Sequence, residues 1–219
     1  MLRLGLRTHG GPLRLLVIGA HSDDIEIGCG GALLTILGRH PGSVVHWVVF
    51  SANGPREDEA RRSADAFLKD AGQRRISLGK FKDGFLPFEG GAVKEYFETL
   101  KADGSPDLVF THRLEDRHQD HRLLADLTWN TFRDHAILEY EIPKYEGDLG
   151  QPNVFVPLEP EVSKQKIKLL TSIFGTQQSK RWFREDVFDG LMRLRGMEAG
   201  LIDGCAEAFY ARKLVLGFY

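Results

Sequence analysis

The chain has 219 residues, 27% of them charged, a formal net charge of −2 and two cysteines. That length suits one domain of three layers, with a core large enough to be stable without disulfide staples. The balanced charge lacks the basic stripe with exposed aromatics that a nucleic-acid partner needs, and no apolar run approaches the ~18–20 residues of a membrane span.

Met1 to Arg14 carries Arg3, Arg7 and Arg14 but no continuous apolar stretch of a secretory signal, so it is expected to be a loose lead-in, and the protein to be cytoplasmic. Cys29 and Cys205 fit buried thiols of a reducing compartment. Leu13–Ala20 is a short apolar run ending in polar residues, the pattern of a buried parallel strand. A helix is predicted over Gly28–His40, a second buried strand over Val44–Phe50, and a charged helix over Arg56–Ala71 with Ala60, Ala64, Phe67 and Leu68 on one face. Arg75–Leu78 and Leu108–Thr111 read as strands, Val93–Lys101 and His118–Asp134 as helices. This alternation predicts a doubly wound α/β sheet. Ala136–Glu141 and Asn153–Val156 are expected as strands, Val162–Phe174 and Asp186–Arg195 as helices, and the glycines at 147–150 and 200–204 as loops. Residues 1–219 are expected to form a single domain in which residues ~136–219 are a carboxy-terminal elaboration. Its exposed edges could support a homo-oligomer.

Two short motifs roughly a hundred residues apart carry the chemistry: His21-Ser22-Asp23-Asp24 and His118-Gln119-Asp120-His121. Each falls just past the carboxyl end of a predicted strand, where open α/β sheets bind ligands, so both are expected on one rim. At a strand-to-helix turn, His21 and Asp24 can converge on one ion, leaving Asp23 beside it to take a proton from water. His118 and His121 lie on one helical face; one could ligate while the other faces substrate. Asp120 could fix an imidazole tautomer. Taken singly, the motifs also fit plain structural roles: Asp23 or Asp24 as a helix cap, and a polar helix start with a capping Asp116. Gly28-Cys29-Gly30-Gly31 lacks the spacing of a dinucleotide fingerprint and reads as close helix–sheet packing. His112 lies on the rim but could equally be packing. The segment from Tyr140 to Pro157, with Glu141, Lys144, Tyr145, Glu146 and Asp148, is expected to form one wall of a pocket.

Ala20-His21-Ser22-Asp23-Asp24 with Glu26 and Gly28-Cys29-Gly30-Gly31 resembles the first motif of the PIG-L/LmbE-like zinc-dependent N-deacetylases, and His118-Gln119-Asp120-His121 resembles the second. Arg56 with Glu59, Pro106–Thr111 and Ala206-Glu207-Ala208-Phe209 resemble further stretches of that family. The resemblance implies a Rossmann-like three-layer α/β/α sandwich with a mostly parallel sheet. It implies Zn2+, or another divalent metal, on His21, Asp24 and His121. Asp23 would then be the general base, protonated His118 the oxyanion stabiliser, and Arg56 a contact to substrate. The implied activity is removal of an N-acetyl group from an acetamido sugar or sugar conjugate. Ser22 and Ile25 depart from the family's usual Pro and Glu, and Asp116 stands where some members carry an oxyanion-donating Tyr; Tyr140 or Tyr145 could substitute. The alternatives are a metal-dependent amidase or esterase on a non-sugar substrate, and a non-catalytic binding protein of the same fold.

Overall fold

The computed structural model describes residue 5 and residues 12–215; the rest of the arginine-bearing lead-in lies outside the described residues. The elements run β1 (Arg14–His21), α1 (Asp24–Arg39), β2 (Val44–Ser51), α2 (Pro55–Phe67), β3 (Gln73–Leu78), α3 (Gly90–Ala102), β4 (Leu108–His112), α4 (Gln119–Thr131), β5 (Ala136–Tyr140), β6 (Val154–Leu158), α5 (Pro160–Ile173), α6 (Glu185–Glu198) and β7 (Cys205–Tyr210). Short 3-10 helices cover Leu86–Glu89 and Gly175–Gln177. No helix among the described residues is long and apolar enough to cross a membrane.

Among the described residues, seven strands form one sheet in the order β3-β2-β1-β4-β5-β7-β6. β1 to β5 are parallel; β7 is antiparallel to β5 and β6. Every residue of β1 beyond Arg14 is buried, because the sheet is covered on both faces. Leu15 and Val17 face a core with Trp47, Leu33 and Phe67. Leu16, Ile18 and Ala20 face another, with Phe50, Phe97 and Leu124. Helices α1, α2, α5 and α6 cover one side, α3 and α4 the other. The predicted doubly wound three-layer α/β/α sandwich is what the chain forms.

The strand order reverses between β1 and β4, the crevice where such sheets place their ligands. The two motifs leave the sheet from these two strands, His21 closing β1 and His112 closing β4. The sequence did not predict β7. It fills the gap between β5 and β6 from the far end of the chain, so no sequential hairpin signal announces it. The edge strand β6 tolerates Pro157.

Helix α1 starts at Asp24, four residues before the predicted Gly28. Three of its glycines, Gly28, Gly30 and Gly31, serve close packing. A Cβ on Gly28 would sit 2.1 Å from the Tyr140 ring, and one on Gly30 would sit 2.6 Å from Phe67. Tyr140 cannot yield, since it is fully buried and its hydroxyl donates to the Ile18 carbonyl at 2.6 Å. Gly28→Ala is therefore expected to cost about 2–3 kcal/mol by overpacking, lowering the melting temperature by roughly 5–10 °C. Gly38→Ala, in open space on the same helix, should leave it equal or higher; thermal denaturation of both variants checks this.

Candidate active site

Four chain segments bring the site together. The end of β1 supplies His21, and the first residues of α1 follow with Asp23 and Asp24. The end of β4 supplies His112, and the start of α4 brings His118, Asp120 and His121. All of these except His118, which is half-buried, are buried.

Nδ1 of His21, Oδ2 of Asp24 and Nε2 of His121 form a triangle. Its sides are 3.3 Å (His21–Asp24), 3.2 Å (His21–His121) and 3.4 Å (His121–Asp24). An ion held tetrahedrally by such donors at about 2.0–2.2 Å needs donor separations of roughly 3.3–3.6 Å. The three atoms are spaced as one face of that tetrahedron, and a divalent cation fits them. His118 lies close by, its ring centroid 4.9 Å from His21 and 4.5 Å from His121.

Carboxylates orient both imidazoles of the triangle. Asp120 Oδ2 lies 3.2 Å from Nε2 of His21, a contact that can fix the tautomer of that ring. It also accepts the Gly84 N–H at 2.8 Å, while Oδ1 accepts the Leu86 N–H at 3.2 Å. Asp116 does the same for His121, accepting from Nδ1 at 3.0 Å, and its other oxygen accepts the His118 N–H at 2.8 Å. So Asp116 both holds the turn and fixes an imidazole.

Asp23 stands where a helix cap would, but its side chain caps no backbone N–H. Its Oδ1 instead receives Arg56 Nη2 at 3.1 Å. Burial first, and then repulsion from Asp24, raises its pKa despite Arg56 and His21. Asp24 goes the other way. Burial opposes its charge, but His121, His112 and His21 outweigh it and hold the carboxyl well below the usual range. For His21, burial disfavours the charged form, yet Asp24 and the hydrogen bonds to Asp120, Asp24 and Asp83 lift its pKa well above the ordinary value. The carboxylate cluster thus calls for positive charge at this point.

Burial, then His121 and His21, lowers the pKa of His118. Its Nδ1 accepts the Asp120 N–H at 3.3 Å at the start of α4, which leaves the proton on Nε2. In its neutral form the ring donates through Nε2. Arg56 is also more engaged than a free substrate contact: Nη1 binds Asp83 at 2.7 Å and Nη2 binds Asp23. The tyrosines offered for the oxyanion are committed elsewhere. Tyr140 donates to Ile18, and exposed Tyr145 accepts the Arg181 N–H at 3.2 Å.

Three residues were missed or left open. Asp83, half exposed, lies 3.1 Å from Nε2 of His21 and pairs with Arg56; its hydrogen bond from His21 lowers its pKa to about 2. A lone acid in a loop gives no spacing signal. His112 accepts the Ala20 N–H at 2.9 Å, stacks on His121 at 3.9 Å between centroids, and burial lowers its pKa to about 4. It stands behind the triangle as one of its walls. Lys144 comes from the segment expected to be a wall, and its Nζ reaches Asp116 at 3.0 Å. Glu141 of that segment instead pairs with buried Arg195 at 2.6 and 2.8 Å, away from the triangle.

The fold recurs among solved structures. N,N'-diacetylchitobiose deacetylase from Pyrococcus horikoshii superposes with a TM-score of 0.67 at 21% identity, over 90% of this chain and 83% of that one. GalB, the 4-carboxy-2-hydroxymuconate hydratase of Pseudomonas putida KT2440, gives a TM-score of 0.74 at 16% identity, over 94% and 99%. The zinc-inhibited form of teicoplanin deacetylase Orf2 gives 0.68 at 16%, over 90% and 97%. At sequence level, residues 16–132 match the PIG-L family, described as GlcNAc-PI de-N-acetylase. That match covers more than half of the chain and runs from within β1 to the end of α4, so it takes in both motifs: the protein belongs to the PIG-L family.

Proposed function

We propose that the protein is a zinc-dependent hydrolase that removes the N-acetyl group from an acetamido sugar or sugar conjugate. The observation that carries this reading is the His21–Asp24–His121 triangle with Asp23 alongside it. Support comes from family membership and from two structural relatives, deacetylases of diacetylchitobiose and of teicoplanin.

His21, Asp24 and His121 would hold the ion. When bound there, a divalent metal acidifies water beside it and polarises a carbonyl oxygen. Asp23 takes the proton of the attacking water; its raised proton affinity suits a base working near neutral pH. Arg56 keeps that carboxylate in place through Nη2 and offers the substrate side a positive charge shared with Asp83. The Nε2 proton of His118 stabilises the oxygen that becomes negative as the amide carbon turns tetrahedral. Asp23 then returns its proton to the leaving nitrogen. The C–N bond breaks, and one water and one amide become acetate and a free amine.

A second reading has one observation in its favour: GalB, a hydratase by name, shares the fold. Water activated at the same centre could add to a double bond instead of an amide. Acetate release from a panel of N-acetylated sugars, nucleotide sugars and conjugates, with zinc and after chelation, separates the two. Zinc-dependent acetate is the expected result. Its absence across the panel, with zinc bound stoichiometrically, removes the sugar deacetylase reading.

Asp23→Asn is expected to lower kcat by roughly 10²–10⁴-fold while zinc content stays at the parent level; a normal kcat would exclude Asp23 as the base. His21→Ala and Asp24→Ala are each expected to lose stoichiometric zinc, measured by elemental analysis after gel filtration.

A further inference from the structure

We propose that Lys144 is a positioning residue for the metal centre: it holds Asp116 against His121 and thereby sets how tightly His121 binds a divalent cation. The inference rests on reading His21, Asp24 and His121 as metal ligands.

Lys144 belongs to the segment after β5, outside the residues that match the family. Its side chain is only 8% exposed, and an ammonium that deeply placed needs compensating charge. Nζ finds it at Asp116 Oδ2 (3.0 Å) and at both oxygens of Asp148 (2.8 and 2.7 Å). Asp148 is fixed in turn. Its carboxylate accepts the Arg117 N–H at 2.6 Å, and its carbonyl accepts Arg113 Nη1 at 2.7 Å. The segment is thus tied to the loop that leads into the second motif.

The decisive contact is at Oδ2 of Asp116. The same oxygen takes the Lys144 ammonium and the Nδ1 proton of His121, each at 3.0 Å. A purely structural ion pair has no need of that oxygen. Here the ammonium holds the carboxylate in one orientation, so His121 keeps one tautomer and turns its Nε2 lone pair towards Asp24 and His21. Charge completes the argument. Asp23, Asp83, Asp116 and Asp120 surround the triangle, of which Asp24 is a corner, while Arg56 is committed to Asp23 and Asp83. Lys144 is the cation that serves the Asp116 side.

The test is the zinc affinity of the purified, metal-free full chain, measured by competition with a chromogenic chelator, next to the melting temperature of the metal-free protein. Lys144→Met is expected to weaken zinc binding about 10–100-fold at a temperature where the metal-free variant is still folded, its melting temperature being lowered because Asp116 and Asp148 lose their cation. Lys144→Arg, which keeps the charge, should recover most of that loss. Adding Lys144→Met to Asp116→Asn should cause no further weakening, since both act along one path. Zinc affinity of Lys144→Met within about twofold of the parent overturns the proposal. So do losses that multiply in the double variant. If Lys144→Met does not fold, Asp148→Asn, which loosens the other anchor of the ammonium, must show the loss, and parental affinity there overturns the proposal equally. A parent chain that binds no zinc overturns the metal-site reading as well; a parent that binds it beside unaffected variants overturns this inference alone.

Discussion

A buried carboxylate with three imidazoles around one of its oxygens governs this structure. Oδ2 of Asp24 accepts the N–H of His21 at 2.7 Å and lies 3.3, 3.3 and 3.4 Å from ring nitrogens of His21, His112 and His121. Taking an ionised carboxylate out of water costs several kcal/mol unless it is compensated. Compensation here requires the end of β1, the start of α1, the end of β4 and the start of α4 to meet at one point. Only adjacent parallel strands with their helices on opposite faces bring four such ends together. The chemistry of the rim and the topology of the sheet are therefore one constraint.

The layers around the rim make that meeting rigid. Tyr140 closes β5, fills the space above Gly28, ties its hydroxyl to Ile18 in β1 and touches His112 at 3.3 Å. One side chain thus links α1, β1, β4 and β5 directly behind the triangle. On the far side of α1, Glu207 of β7 accepts the N–H groups of Gly31 and Ala32 at 2.7 and 2.6 Å, while buried Lys166 joins Glu207 to the Ile27 carbonyl, both at 2.6 Å. The absent side chain of Gly31 makes room for that carboxylate. The last strand of the chain so grips the helix that begins with the first motif.

Much of this was legible in the sequence because it is local or periodic. Buried parallel strands announce themselves as short apolar runs, and His21, Asp24, His118 and His121 follow them at once. The glycines of α1 were readable as packing for the same reason. What was not legible depends on partners distant in the chain. β7 reads CAEAFY after a glycine-bearing loop, with alternation too weak to separate strand from coil, and only its two neighbours make it a strand. Asp83 and Lys144 are isolated charges in loops; their importance lies in which atoms they touch. The lowered pKa of His118 comes from burial and from two neighbouring rings, neither of which a motif records.

Exposure divides the acidic groups of the centre by role. Side chains of Asp23, Asp24, Asp116 and Asp120 are at most 5% exposed, whereas Asp83 is 54% exposed. The four buried ones answer to the protein: each is fixed by backbone N–H groups, imidazoles, Arg56 or Lys144. Asp83 meets solvent while still pairing with Arg56 and His21. It rides on a loop whose next residues, Gly84 and Leu86, are pinned to Asp120, so its position is set by the same carboxylate that orients His21. The loop cannot shift without disturbing an imidazole of the triangle. Coupling of this kind ties the wet edge of the centre to the His21–Asp24–His121 triangle, since Asp120 serves both through two oxygens of one side chain.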